Sequence, residues 1–159
     1  MELVATRGGV RFINDSKATN VDAAARSIES FEKVIAIVGG RFKGGSFADL
    51  AEPLRSHGRA VVAIGEARPL INAALKDVVP VFEAQSLADA VQRAWDLAVP
   101  DGVVLLAPAC SSFDMFRDYV DRGDRFRDAV HELARAFDSH QTGRGGEEPA
   151  AGNTGRSGL

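Results

Sequence analysis

The feature that most restricts the fold is a regular alternation between short apolar runs and segments long enough to form a helix. Most of the apolar runs lack the polar alternation of a half-exposed strand, which is typical of strands covered on both faces of a parallel sheet. The alternation therefore predicts an α/β fold: a single doubly wound, mostly parallel sheet with helices on both faces. We expect strands over Val10–Asn14, Val34–Val38, Ala60–Ile64, Val78–Phe82 and Val103–Leu106.

Capping residues mark three helix starts. Ser86 with Asp89, and Ser46 with Asp49, each have the spacing of a capping box before apolar residues. Asn20 is a predicted N-cap for the segment that follows it. A last amphipathic helix is predicted from apolar side chains that share one face, namely Phe126, Val130, Leu133, Ala134 and Phe137.

The composition of the chain changes once, near Asp138. Residues 139–159 contain six glycines, and their only Val, Ile, Leu, Phe or Met residue is Leu159. Such a segment cannot bury enough apolar surface to offset its loss of conformational entropy. Within the 159 residues we therefore expect one domain over residues 1–138 and a flexible Gly-rich tail over residues 139–159.

Charge and composition argue against nucleic acid and membranes as binding partners. The formal charge is -3, so the chain lacks the basic field of a typical nucleic-acid-binding domain. The longest apolar runs are too short for a membrane span, and the N-terminal residues do not have the pattern of a secretory signal. A single cysteine excludes an internal disulfide. We expect a cytoplasmic protein that binds neither nucleic acid nor membrane.

Three predicted strands are followed by unusual loops. They are the first loop (Asn14–Asn20), the second loop (Gly39–Gly45) and the third loop (Ala107–Asp114). Because ligands of doubly wound sheets bind beyond the carboxyl ends of the strands, we expect the loops to share one site. Each loop is predicted to lead into a helix, whose free N–H groups favour an anion. Cations and hydroxyl groups suited to carboxylate or phosphate come from Lys17, Lys43, Ser16, Thr19, Ser111 and Ser112.

Simpler interpretations of the same residues stay open. Glycines after a strand are often turn residues, Thr19 is compatible with a helix cap, and Lys43 with a solvated surface charge. The second loop also lacks the Gly-Lys-Ser/Thr ending of a nucleotide-binding P-loop. Cys110, at a strand end, is compatible with a depressed pKa, but a buried apolar role is favoured. No residue spacing indicates a metal site.

A charged cluster follows the third loop. Its side chains alternate in sign, so we interpret it as a solvated surface with mutual pairing. The cluster consists of Arg117, Asp118, Asp121, Arg122, Asp124, Arg125 and Arg127.

The three loops also carry a family resemblance. Asn-Asp-Ser-Lys-Ala-Thr-Asn in the first loop, Gly39-Gly40 with Lys43, and Pro-Ala-Cys-Ser-Ser-Phe-Asp in the third loop with Arg122-Gly123-Asp124 appear in this order. This series resembles the C-terminal domain of Mur ligases, in the branch that adds D-glutamate to a peptidoglycan precursor. The resemblance covers residues 2–133 and implies the Rossmann-like fold of that domain.

The resemblance implies an ATP-dependent, amide-forming ligase. In the family, ATP phosphorylates a carboxylate of UDP-N-acetylmuramoyl-L-alanine, and the amino group of D-glutamate attacks the acyl phosphate. The family's other two domains bind the UDP sugar and supply a P-loop with magnesium ligands. This chain contains neither of them, so we expect it not to form the amide bond alone. The alternative is a stand-alone anion-binding, nucleotide-binding or interaction module derived from that domain.

The resemblance also assigns roles to individual residues. It implies that Asp15 and Ser16 belong to the nucleotide site, with Asp15 at the ribose, and that Lys17 lies near the phosphates or the reacting centre as a catalytic residue. One carboxylate of D-glutamate is implied to bind Thr19 and Lys43. The other is implied to bind Ser112, the backbone of Phe113 and the ring of Tyr119, where the family commonly has Phe.

Overall fold

The structure is a computed structural model that describes the backbone of residues 1–156 and the side chains of residues 1–140. Six strands form one sheet in the order β1-β2-β6-β3-β4-β5. All neighbouring strands are parallel except β1 and β2, so the predicted fold class is confirmed. The strands are β1 (Glu2–Arg7), β2 (Val10–Asn14), β3 (Val34–Gly39), β4 (Gly58–Ile64), β5 (Val81–Glu83) and β6 (Val103–Leu106).

The antiparallel edge strand β1 is missing from the sequence prediction. Its exposure varies along the strand, and its apolar run, Leu3-Val4-Ala5, is only three residues long and partly exposed. A two-residue turn, Gly8-Gly9, connects it to β2, and both glycines have positive φ, +54° and +84°. A Gly-Gly pair between two strands is typical of a hairpin turn that needs positive φ at both positions. The signal for β1 was therefore present in the turn rather than in the strand.

Helices cover both faces of the sheet. They are α1 (Val21–Glu29), α2 (Ala51–His57), α3 (Arg68–Leu75), α4 (Leu87–Ala98) and α5 (Tyr119–Arg156). One core lies under α1, α2 and α3, and the other lies under α4 and α5. Strand β3 divides its side chains between them: Val34 and Ala36 enter the first core, while Ile35 and Ile37 enter the second. This alternation on fully buried strands explains their continuous apolar runs.

The predicted helix caps form with different geometries. The side chain of Asn20 accepts the Ala23 N–H, and the side chain of Ser86 accepts the Asp89 N–H. Ser46 caps a short 3-10 helix, Phe47–Leu50, rather than the start of a regular α-helix.

The last predicted helix is confirmed, and Phe126 and Val130 on its apolar face are fully buried. None of the helices within the described part of the chain is long and apolar enough to cross a membrane. The flexible tail predicted for residues 139–159 lies almost entirely outside the residues whose side chains are described, so it stays a prediction.

The packing of α3 gives a test of the fold. Leu75→Ala should lower the free energy of unfolding by about 2–5 kcal/mol, because Leu75 is fully buried and the substitution leaves a cavity. Leu70→Ala removes the same atoms from the same helix, but Leu70 is 52% exposed, so we expect a loss of no more than about 1 kcal/mol. Urea unfolding followed by circular dichroism measures both. Equal losses would contradict this packing.

Candidate functional site

The first and third loops are joined by backbone hydrogen bonds. The Ala109 N–H donates to Ala18 O at 2.9 Å, and just before the third loop the Asp15 N–H donates at 2.9 Å to Leu106 O, at the end of β6. Ala109 has a φ of +62°, a left-handed conformation that is uncommon for a residue with a side chain. The turn at Ala109 is therefore held in place by its contact with the first loop.

The second and third loops are joined in the same way. The Gly39 N–H donates to Pro108 O at 2.8 Å, and Arg41 and Ser111 exchange two backbone hydrogen bonds of 3.1 Å. The Ser111 hydroxyl also donates to Arg41 O at 3.3 Å. All three predicted loops therefore meet at one edge of the sheet, as the sequence prediction requires.

Gly40 makes this approach of the loops possible. Its φ is +130°, and a Cβ atom at this position would lie 2.3 Å from Ser111 O. A side chain at Gly40 would therefore push the second and third loops apart, so this glycine is more than a turn residue.

The third loop also contacts the loop after β4, which the sequence analysis did not connect to the site. Oδ2 of Asp114 accepts the Glu66 N–H at 3.0 Å, while the carboxylate of Glu66 pairs with Arg41 at 3.4 Å. Oδ1 of Asp114 is buried without a hydrogen-bond partner among the described residues. Asp114 thus connects the loop after β6 to the loop after β4.

The interpretation of Arg122 as a solvated surface residue is wrong. Its side chain is fully buried and all three of its hydrogen bonds reach the two joined loops. Nε donates to Ser16 Oγ at 2.9 Å, Nη2 to Ser16 O at 2.8 Å, and Nη1 to Cys110 O at 3.1 Å. The guanidinium group therefore holds the first loop against the third.

Removing the Arg122 guanidinium group from water costs free energy, which its three hydrogen bonds offset. Desolvation lowers the pKa of Arg122 to about 10, which still leaves the side chain charged at neutral pH. The next residue, Gly123, brings α5 close to the first loop, since a Cβ there would lie 3.1 Å from Asn14 Nδ2. A glycine inside a helix was the sequence signal that a backbone approaches closely at this point.

Other members of the charged cluster do pair with one another, but Asp121 is buried, at 7% exposed, so the solvated interpretation is wrong for this residue too. Asp121 lies 3.5 Å from Arg117 and 3.4 Å from Arg125, and Asp124 pairs with Arg127. The Arg117 N–H donates to the Asp121 carboxylate and, with Arg125, lowers the pKa of that carboxyl group.

Ser112 does not begin a regular helix, in contrast to the prediction for the third loop. Its carbonyl accepts the N–H groups of Met115 and Phe116, which closes a single helical turn. The chain then turns into α5, because Asp118 caps that helix by accepting the Asp121 N–H at 2.8 Å.

Cys110 is fully buried beneath the third loop. Desolvation raises the pKa of its thiol to about 12, although the charge of Arg122 acts in the opposite direction. The depressed pKa that the strand-end position allowed is therefore contradicted, and the buried apolar interpretation is confirmed.

The residues assigned to the nucleotide site line one cavity. Asp15, Ser16 and Lys17 border a space of about 300 Å³ together with Tyr119 and Gly123. Lys17 is exposed, Asp15 is partly buried, and Ser16 keeps only 5% of its surface exposed. Tyr119, from the start of α5, is 41% exposed.

The remaining residues assigned to D-glutamate do not line that cavity. Lys43 is exposed on the second loop, and Thr19 is partly buried at the end of the first loop. Ser112 keeps 2% of its surface exposed, whereas the neighbouring Phe113 is 62% exposed. Each lies on one of the three joined loops, so the structure places their backbones at the same sheet edge.

The donor set of this edge does not fit magnesium. Within the residues that the structure describes, no three His, Cys, Asp or Glu side chains come together in a way that could hold a metal ion. Lysine, hydroxyl and backbone N–H groups dominate the three loops, and these groups bind anions rather than hard cations.

Fold and loops together define a doubly wound α/β domain in which three loops meet at one edge of the sheet. Residues 1–110 match the family model described as "Mur ligase, glutamate ligase domain". The chain therefore belongs to the Mur ligase family. It is 50% identical over 133 residues to the UDP-N-acetylmuramoylalanine--D-glutamate ligase of Trichlorobacter lovleyi, covering 84% of this chain and 30% of that protein. The chain thus spans about 30% of the length of this curated relative.

Solved structures agree with the fold. A murein peptide ligase from Psychrobacter arcticus has a TM-score of 0.59 at 15% identity, over 86% of this chain and 29% of that one. A domain assigned to a UDP-N-acetylmuramate:L-alanyl-gamma-D-glutamyl-medo-diaminopimelate ligase from Haemophilus ducreyi has a TM-score of 0.55 at 14% identity, over 86% and 98% of the two chains. At these identities the likeness concerns the fold alone.

The burial of Cys110 predicts its reactivity. Near pH 8 the native thiol should react far more slowly with iodoacetamide than the thiol of the urea-unfolded chain, because only a thiolate is nucleophilic. Folding raises the pKa of the Cys110 thiol above its ordinary value of 9.0. Above pH 9 the unfolded chain therefore loses this proton more readily than the folded chain, and the free energy of unfolding should fall as the pH rises. Mass spectrometry of timed samples measures the labelling, and equal rates in both states would contradict the structure.

Proposed function

We propose that this chain is the D-glutamate-binding domain of a ligase that joins D-glutamate to UDP-N-acetylmuramoyl-L-alanine at the expense of ATP. The observation that carries the proposal is the joining of the three loops at one sheet edge, each bearing part of the resemblance motif. The 50% identity to a ligase of that name supports the same assignment. The remaining domains of such a ligase supply the UDP-sugar site, the P-loop and the magnesium ligands.

In this proposal the loops supply two groups of donors, one for each carboxylate of a dicarboxylate. On one side, Lys43 gives a charge-assisted contact and Thr19 a hydroxyl for the side-chain carboxylate. On the other, the helical turn that begins at Ser112 offers the N–H groups of its first residues, including Phe113, to the second carboxylate. The exposed ring of Tyr119 packs against the bound amino acid.

The first loop serves the nucleotide. Asp15 accepts hydrogen bonds from the ribose hydroxyls, and Ser16 shapes the loop from its buried position. The exposed ammonium of Lys17 lies near the phosphates and stabilises the charge that develops as the acyl phosphate forms and breaks. The amine of D-glutamate then attacks that acyl phosphate, with the rate gained chiefly from its orientation. We assign this reaction to the cytoplasm.

A chimaera tests the function. The full chain replaces the matching segment of the Trichlorobacter lovleyi ligase, and phosphate release is followed with ATP, UDP-N-acetylmuramoyl-L-alanine and either enantiomer of glutamate. We expect phosphate release that depends on D-glutamate and is weak with L-glutamate. A folded chimaera without D-glutamate-dependent release would contradict the proposal and favour a stand-alone binding module.

Within that chimaera, Lys43→Ala should weaken D-glutamate binding by about 1.5–3 kcal/mol, the usual range for a hydrogen bond to a charged group. Steady-state kinetics should show this as a raised KM for D-glutamate with little change in the KM for ATP. Lys76→Ala is the matched control, because Lys76 is an exposed lysine at the far end of α3. An unchanged KM for D-glutamate in Lys43→Ala would refute the assignment.

A further inference from the structure

The hydroxyl of Ser16 lies between two parts of the site. Ser16 is 5% exposed, and its Oγ accepts a hydrogen bond from Arg122 Nε at 2.9 Å. The same hydroxyl donates to Tyr119 O at 2.7 Å. It therefore connects the first loop, which carries Asp15 and Lys17, to the first residue of α5, which carries the exposed ring of Tyr119.

The guanidinium group of Arg122 extends this connection to the third loop. Besides Oγ, it binds the carbonyl oxygen of Ser16 at 2.8 Å and that of Cys110 at 3.1 Å. Cys110 precedes Ser111 and Ser112, so one planar side chain fixes both loops on which the two proposed substrates bind. A lysine in its place has a single nitrogen and cannot reach all three oxygens with the same geometry.

The surroundings of Ser16 hold it in one orientation. Its N–H donates to Asn14 Oδ1 at 3.1 Å, and the Asn14 amide donates to Glu2 Oε1 at 3.1 Å. A Cβ at Gly123 would lie 3.5 Å from Ser16 Cβ, so α5 packs directly against the loop at this point. The position of Ser16 is therefore set by these hydrogen bonds and by the close approach of α5, and Ser16 belongs to neither apolar core.

We propose that Ser16 and Arg122 are positioning residues that set the distance between the nucleotide-binding side chains and the D-glutamate-binding side chains, and thereby couple the binding of ATP to that of D-glutamate. The inference rests on the proposed function. Arg122 does not need to touch a substrate, because it is fully buried and acts through the two loops that it joins. Ser16 borders the nucleotide cavity and acts through its hydrogen bonds to Arg122 and Tyr119.

Kinetics of Ser16→Ala in the same chimaera test the proposal. Removing the hydroxyl breaks its bonds to Arg122 and Tyr119 but leaves both apolar cores unchanged. We expect the KM for ATP and the KM for D-glutamate each to rise about 3- to 10-fold, the effect of losing roughly one net hydrogen bond. The KM for UDP-N-acetylmuramoyl-L-alanine, which binds elsewhere, should not change.

Ser27→Ala is the matched control. Ser27 is also a buried serine, 1% exposed, but its hydroxyl has no hydrogen-bond partner among the described residues. We expect this variant to keep all three KM values. A drop in thermal midpoint with unchanged KM values in Ser16→Ala would mean a purely structural role and would overturn the proposal, as would kinetics equal to those of Ser27→Ala.

Arg122→Lys gives a second measurement. The substitution keeps the positive charge but replaces three donor nitrogens by one. The KM for ATP and the KM for D-glutamate should therefore rise at least as far as in Ser16→Ala. The double variant should show less than the product of the two single effects, because both substitutions break the same contact. Independent, multiplicative effects would contradict the proposal that Ser16 and Arg122 act together. An inactive chimaera before any substitution would instead count against the proposed function, which separates the two failures.

Discussion

The site depends on the position of one strand. Strand β6 is the last strand in the chain, yet it lies between β2 and β3 and is parallel to both. Its loop must therefore leave the sheet between the loops of those two strands. The convergence of the three loops is a consequence of strand order, and each loop then needs only short backbone hydrogen bonds to join its neighbour.

Where the three loops meet, buried carbonyl oxygens need hydrogen-bond donors, and Arg122 provides them. Where three loops meet above a buried sheet, carbonyl oxygens turn inward and need donors, since an unpaired buried carbonyl is costly. The guanidinium group provides several donors in one plane, and the three that bind here all reach neutral oxygens. Among the described residues no carboxylate pairs directly with this guanidinium group, and burial lowers its pKa.

Local patterns in the sequence predicted most of the fold. Buried parallel strands such as Val10–Asn14 and Val103–Leu106 were located to the residue, because continuous apolar runs identify strands covered on both faces. Strand β1 was missed because its half-exposed residues lack that signal. The start of α5 was missed because the cap at Asp118 lies within a run of charged residues whose roles only the tertiary contacts distinguish.

Two different kinds of evidence predicted parts of the candidate site from the sequence. The general rule for strand ends located the three loops, whereas the family resemblance supplied individual roles for Thr19, Lys43 and Ser112. Arg122 shows the limit of local reasoning. Its sequence neighbours are charged and mostly solvated, but its partner Ser16 lies 106 positions away in the chain. A contact of that range leaves no periodic pattern in the sequence, so only the folded structure shows why this arginine is buried.

We propose above that the three joined loops bind one amino diacid by its two carboxylates. A crystal structure of the chimaera with D-glutamate and ADP would show this binding directly. We expect one carboxylate beside Lys43 and Thr19 and the other beside the helical turn that begins at Ser112. Electron density for D-glutamate away from these loops, in crystals that retain catalytic activity, would contradict it.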